Sequence, residues 1–340
     1  MIFGRDSFPT GQLETQNLTF VTASDVFFTP VVSGLLKSHA DDYHKVLVNA
    51  LSKEQSKSAK LVGLNASQQA PINEKLFARD NLMAWCIVPF DAGKRSPEQR
   101  ARMLKELGIK RFAYDYRAEH IPTFEREIVA LKENGIELSA WWFPMTLNDE
   151  AKMILALCEK HQVHPQLWVM GGGNPNMTVA EAAVFASQEA DRIREIAIAA
   201  KKAGCKVGLY NHGGWFGKPE NQIELIRKID MPNVGIVFNL HHSHDELDRL
   251  PAILELIKPH LLVLNINGMQ TDGERKGKKI LPVGEGDRDK EVLKTISASG
   301  YSGPIGILNH TDEDARKRLE ANLVGLETLV SELSAGKFKN

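Results

Sequence analysis

Thiols, net charge and long apolar runs are all scarce in this chain. Only three of its 340 residues are cysteine, Cys86, Cys158 and Cys205, far apart and outside any paired spacing. That argues against a disulfide framework and for reduced, buried thiols of a cytosolic protein. Lysine plus arginine (42) and aspartate plus glutamate (43) cancel to a formal charge of −1. Such a balance speaks against a nucleic-acid or anionic-membrane partner and leaves a small molecule as the expected ligand, with a homo-oligomer compatible with it. No stretch reaches the roughly 18 uninterrupted apolar residues of a membrane span; "LTFVTASDVFFTPVVSGLL" is broken by Asp25 and Pro30. The start "MIFGRDSFPTGQ" carries charges where a signal peptide would need an apolar core, so the expected location is the cytoplasm. The glycines of "GGGNPN" (171–176) lack the spacing of a dinucleotide fingerprint, and no nucleotide cofactor is expected.

Apolar side chains are plentiful, at 43%, enough for a large core. From Leu82 onward, short β-prone runs alternate with segments of helical periodicity, about 30 residues per pair. The strand candidates are "LMAWCIV" from Leu82, "RFAYDY" from Arg111, "IELSAWWF" from Ile136, "PQLWVMG" from Pro165, "KVGLYN" from Lys206, "VGIVFN" from Val234, "HLLVLNIN" from His260 and "GPIGILN" from Gly303. Between the first two, "SPEQRARMLKELG" has a capping serine (Ser96), a first-turn proline (Pro97), a capping-box glutamine (Gln99) and a terminating glycine (Gly108). Near-continuous apolar strands each followed by a helix predict a parallel sheet, and right-handed crossovers close eight such units into a (β/α)8 TIM barrel over residues 81–340. An open doubly wound sheet satisfies the same periodicity. Residues 1–80 stand outside the repeat and are expected to form an N-terminal extension, helical or partly disordered.

In such a barrel the chemistry sits where strands end. After the second strand come Asp115 and Arg117, either an ion pair at the mouth or substrate contacts; after the third comes Trp142. Asn211, His212 and Trp215 follow the fifth, and the two tryptophans suit either a wall or a face on which a sugar ring stacks. The sixth leads into "FNLHHSHDEL", with Asn239, His241, His242 and His244; the seventh carries Asn265 and Asn267, and the eighth leads to Asn309 and His310. The long loop "GMQTDGERKGKKILPVGEGDRD" after the seventh brings Lys278 and Lys279 within reach of an anionic substrate.

These stretches resemble the xylose isomerase-like barrels, which include sugar and sugar-phosphate isomerases and epimerases. "YNHGGW" is similar to the family's Glu-Asn-His at the end of strand five and "FNLHH" to its Asp-x-x-His on strand six. "LPVGEGDRDKEVLKTISASGYSGPIGIL" follows its Gly-Glu-Gly loop, helix and last strand. The resemblance implies one divalent metal held by four residues, which fall here on Tyr210, Asn239, Asn265 and Leu308. None of these is a family ligand, and a shell without carboxylate does not balance a hard divalent cation. The residue two further along a strand points the same way, one layer nearer the mouth. That yields His212, His241, Asn267 and His310 as a shifted ligand set suited to zinc, manganese, iron or nickel.

The expected activity is therefore an isomerase or epimerase acting on a small carbohydrate or polyol, by proton transfer next to a carbonyl. His212, His242 and Asp115 are the expected catalytic groups; Arg117, Trp142, Asn211, Trp215, Asn239, Asn265 and Asn309 are the expected substrate contacts. In a metal-free version His212 and His242 move protons while Asn239, Asn265 and Asn267 hold hydroxyls. A lyase or hydratase on an oxidised sugar, or a barrel that only binds carbohydrate, fits the same residues.

Overall fold

A computed structural model describes residues 72–336. Each expected strand forms: β1 (Leu82–Trp85), β2 (Arg111–Tyr114), β3 (Glu137–Trp142), β4 (Gln166–Val169), β5 (Lys206–Tyr210), β6 (Val234–Asn239), β7 (Leu261–Ile266) and β8 (Ile305–Leu308). The helices that follow them are α1 (Pro97–Glu106), α2 (Phe124–Glu133), α3 (Asp149–His161), α4 (Val179–Lys202), α5 (Pro219–Ile229), α6 (Leu250–Ile257), α7 (Asp289–Ala298) and α8 (Ala315–Ala335). All neighbours are parallel, and β1 pairs with β8 from Leu82 beside Ile305 to Trp85 beside Leu308. That pairing closes the barrel and rules out the open sheet. Ile72, Leu76 and Phe77, which precede β1, are buried in the same core. The rest of the expected extension, residues 1–71, lies outside the described residues. Among those described, no helix is long and apolar enough to cross a membrane.

Local chemistry sets the helix ends. Ser96 Oγ accepts from the Gln99 amide and Gln99 returns a bond to the Ser96 amide, with Pro97 in the first turn of α1. Gly108 ends that helix at φ +71°, a conformation in which a Cβ would be strained.

Two apolar layers result. The outer one fills the space between sheet and helices; the inner one fills the barrel with Met83, Ala113, Ala140, Trp168, Tyr210, Val237, Val263 and Leu308. Small residues, Ala113 and Ala140, and large ones, Trp168 and Tyr210, share this layer. Gly208 leaves the room that Val237 and the Trp168 ring occupy, since a Cβ there would lie 2.6 Å from Val237 Cγ2.

Three polar knots hold the mouth end. Arg95 bonds Asp91 at 2.6 Å and Asp314 at 2.9 Å, and Asp91 also accepts the Ala315 amide, which joins the loop after β1 to the start of α8. Asp289 accepts the amides of Met269, Gly284 and Gly286 and so ties down the long loop after β7. Arg100 on α1 meets Glu127 on α2 at 2.5 Å, with both side chains almost wholly buried. Glu127→Ala strands the Arg100 charge and is expected to cost about 3–5 kcal/mol in urea unfolding, whereas Arg100→Met with Glu127→Leu stays close to the parent. An unchanged midpoint for Glu127→Ala would contradict this.

Candidate active site at the C-terminal mouth of the barrel

Five aromatic and imidazole-bearing strand ends meet in one cavity of about 130 Å³. Trp85, Cys86 and Phe90 enter from β1 and its loop, Asp115 and Arg117 from β2, and Trp142 from β3. Tyr210 and His212 come from β5, His241 and His242 from β6, and His310 from β8. Its aromatic floor packs edge to face: Trp85 lies 4.7 Å from Trp168, and Trp142 lies 5.0 Å from Tyr210, centroid to centroid. Part of the wall is an arc of rings, with centroid separations of 4.6 Å for His212–His242, 4.4 Å for His242–His241 and 5.5 Å for His241–His310.

Two asparagines build that arc. Asn211 Oδ1 accepts the Asn239 amide at 2.7 Å, and its Nδ2 donates to the Asn239 carbonyl at 3.1 Å and to Ser243 Oγ at 3.2 Å. Asn239 Nδ2 donates to the Tyr210 hydroxyl at 2.5 Å and its Oδ1 accepts the His241 amide at 3.1 Å. The pair staples the end of β5 to β6 and starts the tight turn Leu240–His242 that aims both histidines inward. Asn211 and Asn239 are therefore struts, not the expected substrate contacts, because their amides are spent on the protein.

Spent amides correct two further expectations, and burial corrects a third. Asn309 spends its amide on the Ala315 carbonyl and Asn322. Asn267 donates to the carbonyls of Gly268 and Lys279 and does not line the cavity, so it drops out of the expected ligand set. Trp215 is buried against Phe185, with ring centroids 5.4 Å apart, and stands clear of the cavity. Asn265 points into the barrel interior below the mouth, with both amide atoms buried and unpartnered. A Cβ on Gly306 would lie 1.8 Å from its Oδ1. Arg117 and Trp142 do line the cavity, as do all the expected catalytic groups. Trp85, Cys86 and Phe90 were not expected as lining side chains, their only sign being their place at or after the end of an apolar run; Tyr210, at a family ligand position, lines the cavity as well.

The arc does not converge on a point. Among the described residues no group of three or more histidine, cysteine, aspartate or glutamate side chains is arranged to hold a metal ion. The three expected imidazole ligands do share the cavity, but their rings stand in series, His242 interposed between His212 and His241, and the fourth donor, Asn267, is turned away. The residues as placed do not fit the metal expected from the sequence.

Electrostatics sorts the groups by task. Burial pushes His241 down to about 2 and His242 down to about 3, with Lys279 and the neighbouring imidazoles adding repulsion, so both are neutral at pH 7. His310 is lowered by burial and then by Arg117. Asp115 moves the other way. It is 2% exposed, neither oxygen has a hydrogen-bond partner of good geometry, and burial pushes its carboxyl up to about 7, against the pull of Arg117 and Arg100. Of the two alternatives for Asp115 and Arg117, the ion pair does not form: Arg117 Nη1 donates to the carbonyls of Asp115 and Tyr116. Beside Asp115, burial and the carboxylate hold the Cys86 thiol protonated, and its backbone sits at φ +59°, strained for a residue with a Cβ.

Comparison with known proteins agrees with this architecture. A curated relative, the uncharacterized protein MJ1311 of Methanocaldococcus jannaschii, is 30% identical over 152 residues, 43% of this chain. The match spans about half the length of that relative (51%). Among solved structures, the 3-keto-D-glucoside 4-epimerase YcjR of E. coli superposes over 74% of this chain and 99% of its own, with 16% identity and a TM-score of 0.53. The IolI protein, crystallised with a zinc atom, covers 76% of this chain and 100% of its own, at 14% identity and a TM-score of 0.57. At these identities the structures share the fold. The profile of the family described as "Xylose isomerase-like TIM barrel" matches residues 147–325, more than half of the sequence. This chain belongs to the xylose isomerase-like TIM-barrel family.

Proposed function

We propose that this protein isomerises or epimerises a small sugar or sugar derivative by moving a proton on the carbon next to a carbonyl. The observation that carries the reading is Asp115: a shielded carboxyl lining the cavity, pushed up to about 7, with the neutral imidazoles of His241 and His242 in the same cavity. A group that titrates near the working pH both takes and returns protons without a large penalty. The structural alternative, a carboxyl that merely fills space, would leave two buried oxygens unsatisfied with nothing in return.

Asp115 takes the proton from carbon, and the electron pair moves toward the carbonyl oxygen as an enediol forms. His242, neutral because it is desolvated, donates an N–H to that oxygen, which favours the developing negative charge. His212, exposed at the rim with its ring 4.6 Å from that of His242, passes protons between the two substrate oxygens and solvent. Return of the proton by Asp115 to the neighbouring carbon isomerises; epimerisation requires a second group to deliver a proton to the opposite face of the same carbon. Trp142 supplies an apolar wall for the ring or chain. The similarity to a sugar epimerase fold supports the substrate class.

The test is incubation with aldoses, ketoses and their oxidised derivatives in D2O, followed by proton NMR at the carbon next to the carbonyl. Exchange into one of them, reduced roughly tenfold to a hundredfold by His212→Asn, is the expected result. Binding without exchange across the panel would overturn the reading in favour of a carbohydrate-binding barrel.

A further inference from the structure

Negative charge is scarce around this cavity. Among the described residues Asp115 is the only carboxyl that lines it, and it is shielded, while Arg117 and four imidazoles line it as well. Lys279 stands near enough to oppose protonation of His241, His242 and His310; Asp312, exposed at the rim, acts the other way on His310.

Arg117 is placed for a ligand. Its Nη1 donates to the backbone carbonyls of Asp115 at 3.1 Å and Tyr116 at 2.8 Å. The guanidinium carbon lies 5.4 Å from the centre of the Phe90 ring, whose centroid is 3.9 Å from that of His310. These contacts hold the guanidinium plane and occupy one corner of its fork. Among the described residues no carboxylate pairs with Arg117, whereas Arg95, Arg100, Arg192, Arg249 and Arg288 each meet one. In the same cavity the buried Nδ1 of His241 has no protein partner.

Arg117 is exposed at the mouth, yet its guanidinium is anchored on two backbone carbonyls in a cavity that also holds a buried, unpartnered imidazole nitrogen. A guanidinium held at one corner and open along its other edge matches two oxygens of a planar or tetrahedral oxyanion, with a geometry that a lysine does not reproduce. We propose that the substrate carries an oxyanion, a carboxylate or a phosphate monoester, docked on Arg117 at the mouth while its polyol part extends toward His242 and Asp115. This rests on the reading of the site as one that acts on carbohydrate, and it adds the charge of the substrate.

The experiment is titration calorimetry of the full chain with three probes on one carbon skeleton: D-glucitol, D-gluconate and D-glucitol 6-phosphate. One or both anions are expected to bind at least about tenfold more tightly than glucitol. That preference should weaken with added salt and disappear in Arg117→Met, whose fold is checked by circular dichroism. A preference for gluconate identifies a carboxylate, and one for the 6-phosphate a phosphate monoester. Equal affinities, no binding of any probe, or an anion preference that survives Arg117→Met would each overturn the proposal. Calorimetry separates its failure from that of the isomerase reading. Anion binding without proton exchange would retire only the reaction, and exchange on neutral sugars without anion preference would retire only the oxyanion.

Discussion

Asp115→Asn is expected to lower proton-transfer activity by about 10²–10⁴-fold and, in the same molecule, to make the fold more stable as pH rises. The substitution keeps shape and volume but removes the ionisable proton. The activity loss follows because, among the described residues, no other carboxyl lines the cavity. The stability gain follows from the two ionisation states. In the unfolded chain an aspartate titrates near 3.9; in the folded chain Asp115 is pushed up to about 7, first by burial. Below about pH 4 both forms hold the proton and the variant should match the parent. Between about pH 4 and 7 the unfolded chain ionises and the folded one does not, so the parent loses stability relative to the variant. Above about pH 7 the difference levels off at an upper bound of about 4 kcal/mol. Urea unfolding of both proteins across this range reads the difference directly. A gap that does not change with pH would show that Asp115 is ionised in the fold as in water, and would remove the basis for its role as proton carrier.

Acidification should destabilise the protein steeply through His241 and His242. Both are held below their ordinary value, at about 2 and about 3, because burial and mutual repulsion disfavour the imidazolium. The stability they contribute is complete above about pH 6.5 and is lost as pH falls, since the unfolded chain takes up two protons that the folded one refuses. The slope approaches two protons, about 2.7 kcal/mol per pH unit between roughly pH 6 and 3, enough to exhaust the stability of an ordinary domain within that interval. His241→Gln combined with His242→Gln should flatten the acid limb in urea titrations followed by tryptophan fluorescence. A double variant that unfolds along the parent's acid limb would place the responsible groups elsewhere.

The asparagines show how far the reading of residues reached. Asn211, Asn239 and Asn309 sit at strand ends, the right level of the barrel for substrate contacts, but their amides are consumed within the protein. An amide offers the same donor and acceptor to a backbone as to a hydroxyl, so residue type alone does not distinguish a strut from a contact. Cys86 shows the reverse. Its run "LMAWCIV" reads as strand through Val88, yet β1 ends at Trp85 because Cys86 turns into the left-handed region. That turn puts the thiol beside Asp115 and frees the chain to bring Phe90 over the mouth. No periodicity announces such a turn.

The strands of the barrel, their order along the chain and the level at which its polar groups cluster were determined by the sequence, because apolar periodicity and cap chemistry act over a few neighbouring residues. Only the tertiary structure decided that β1 meets β8, that the four imidazoles form an arc rather than a point, and that Asp115 is shielded while Arg117 keeps an open edge. Those outcomes depend on the distance and burial of groups far apart in the chain. Low local polarity and opposing charges set the proton affinity of each group and the hydrogen-bonding capacity left for a ligand.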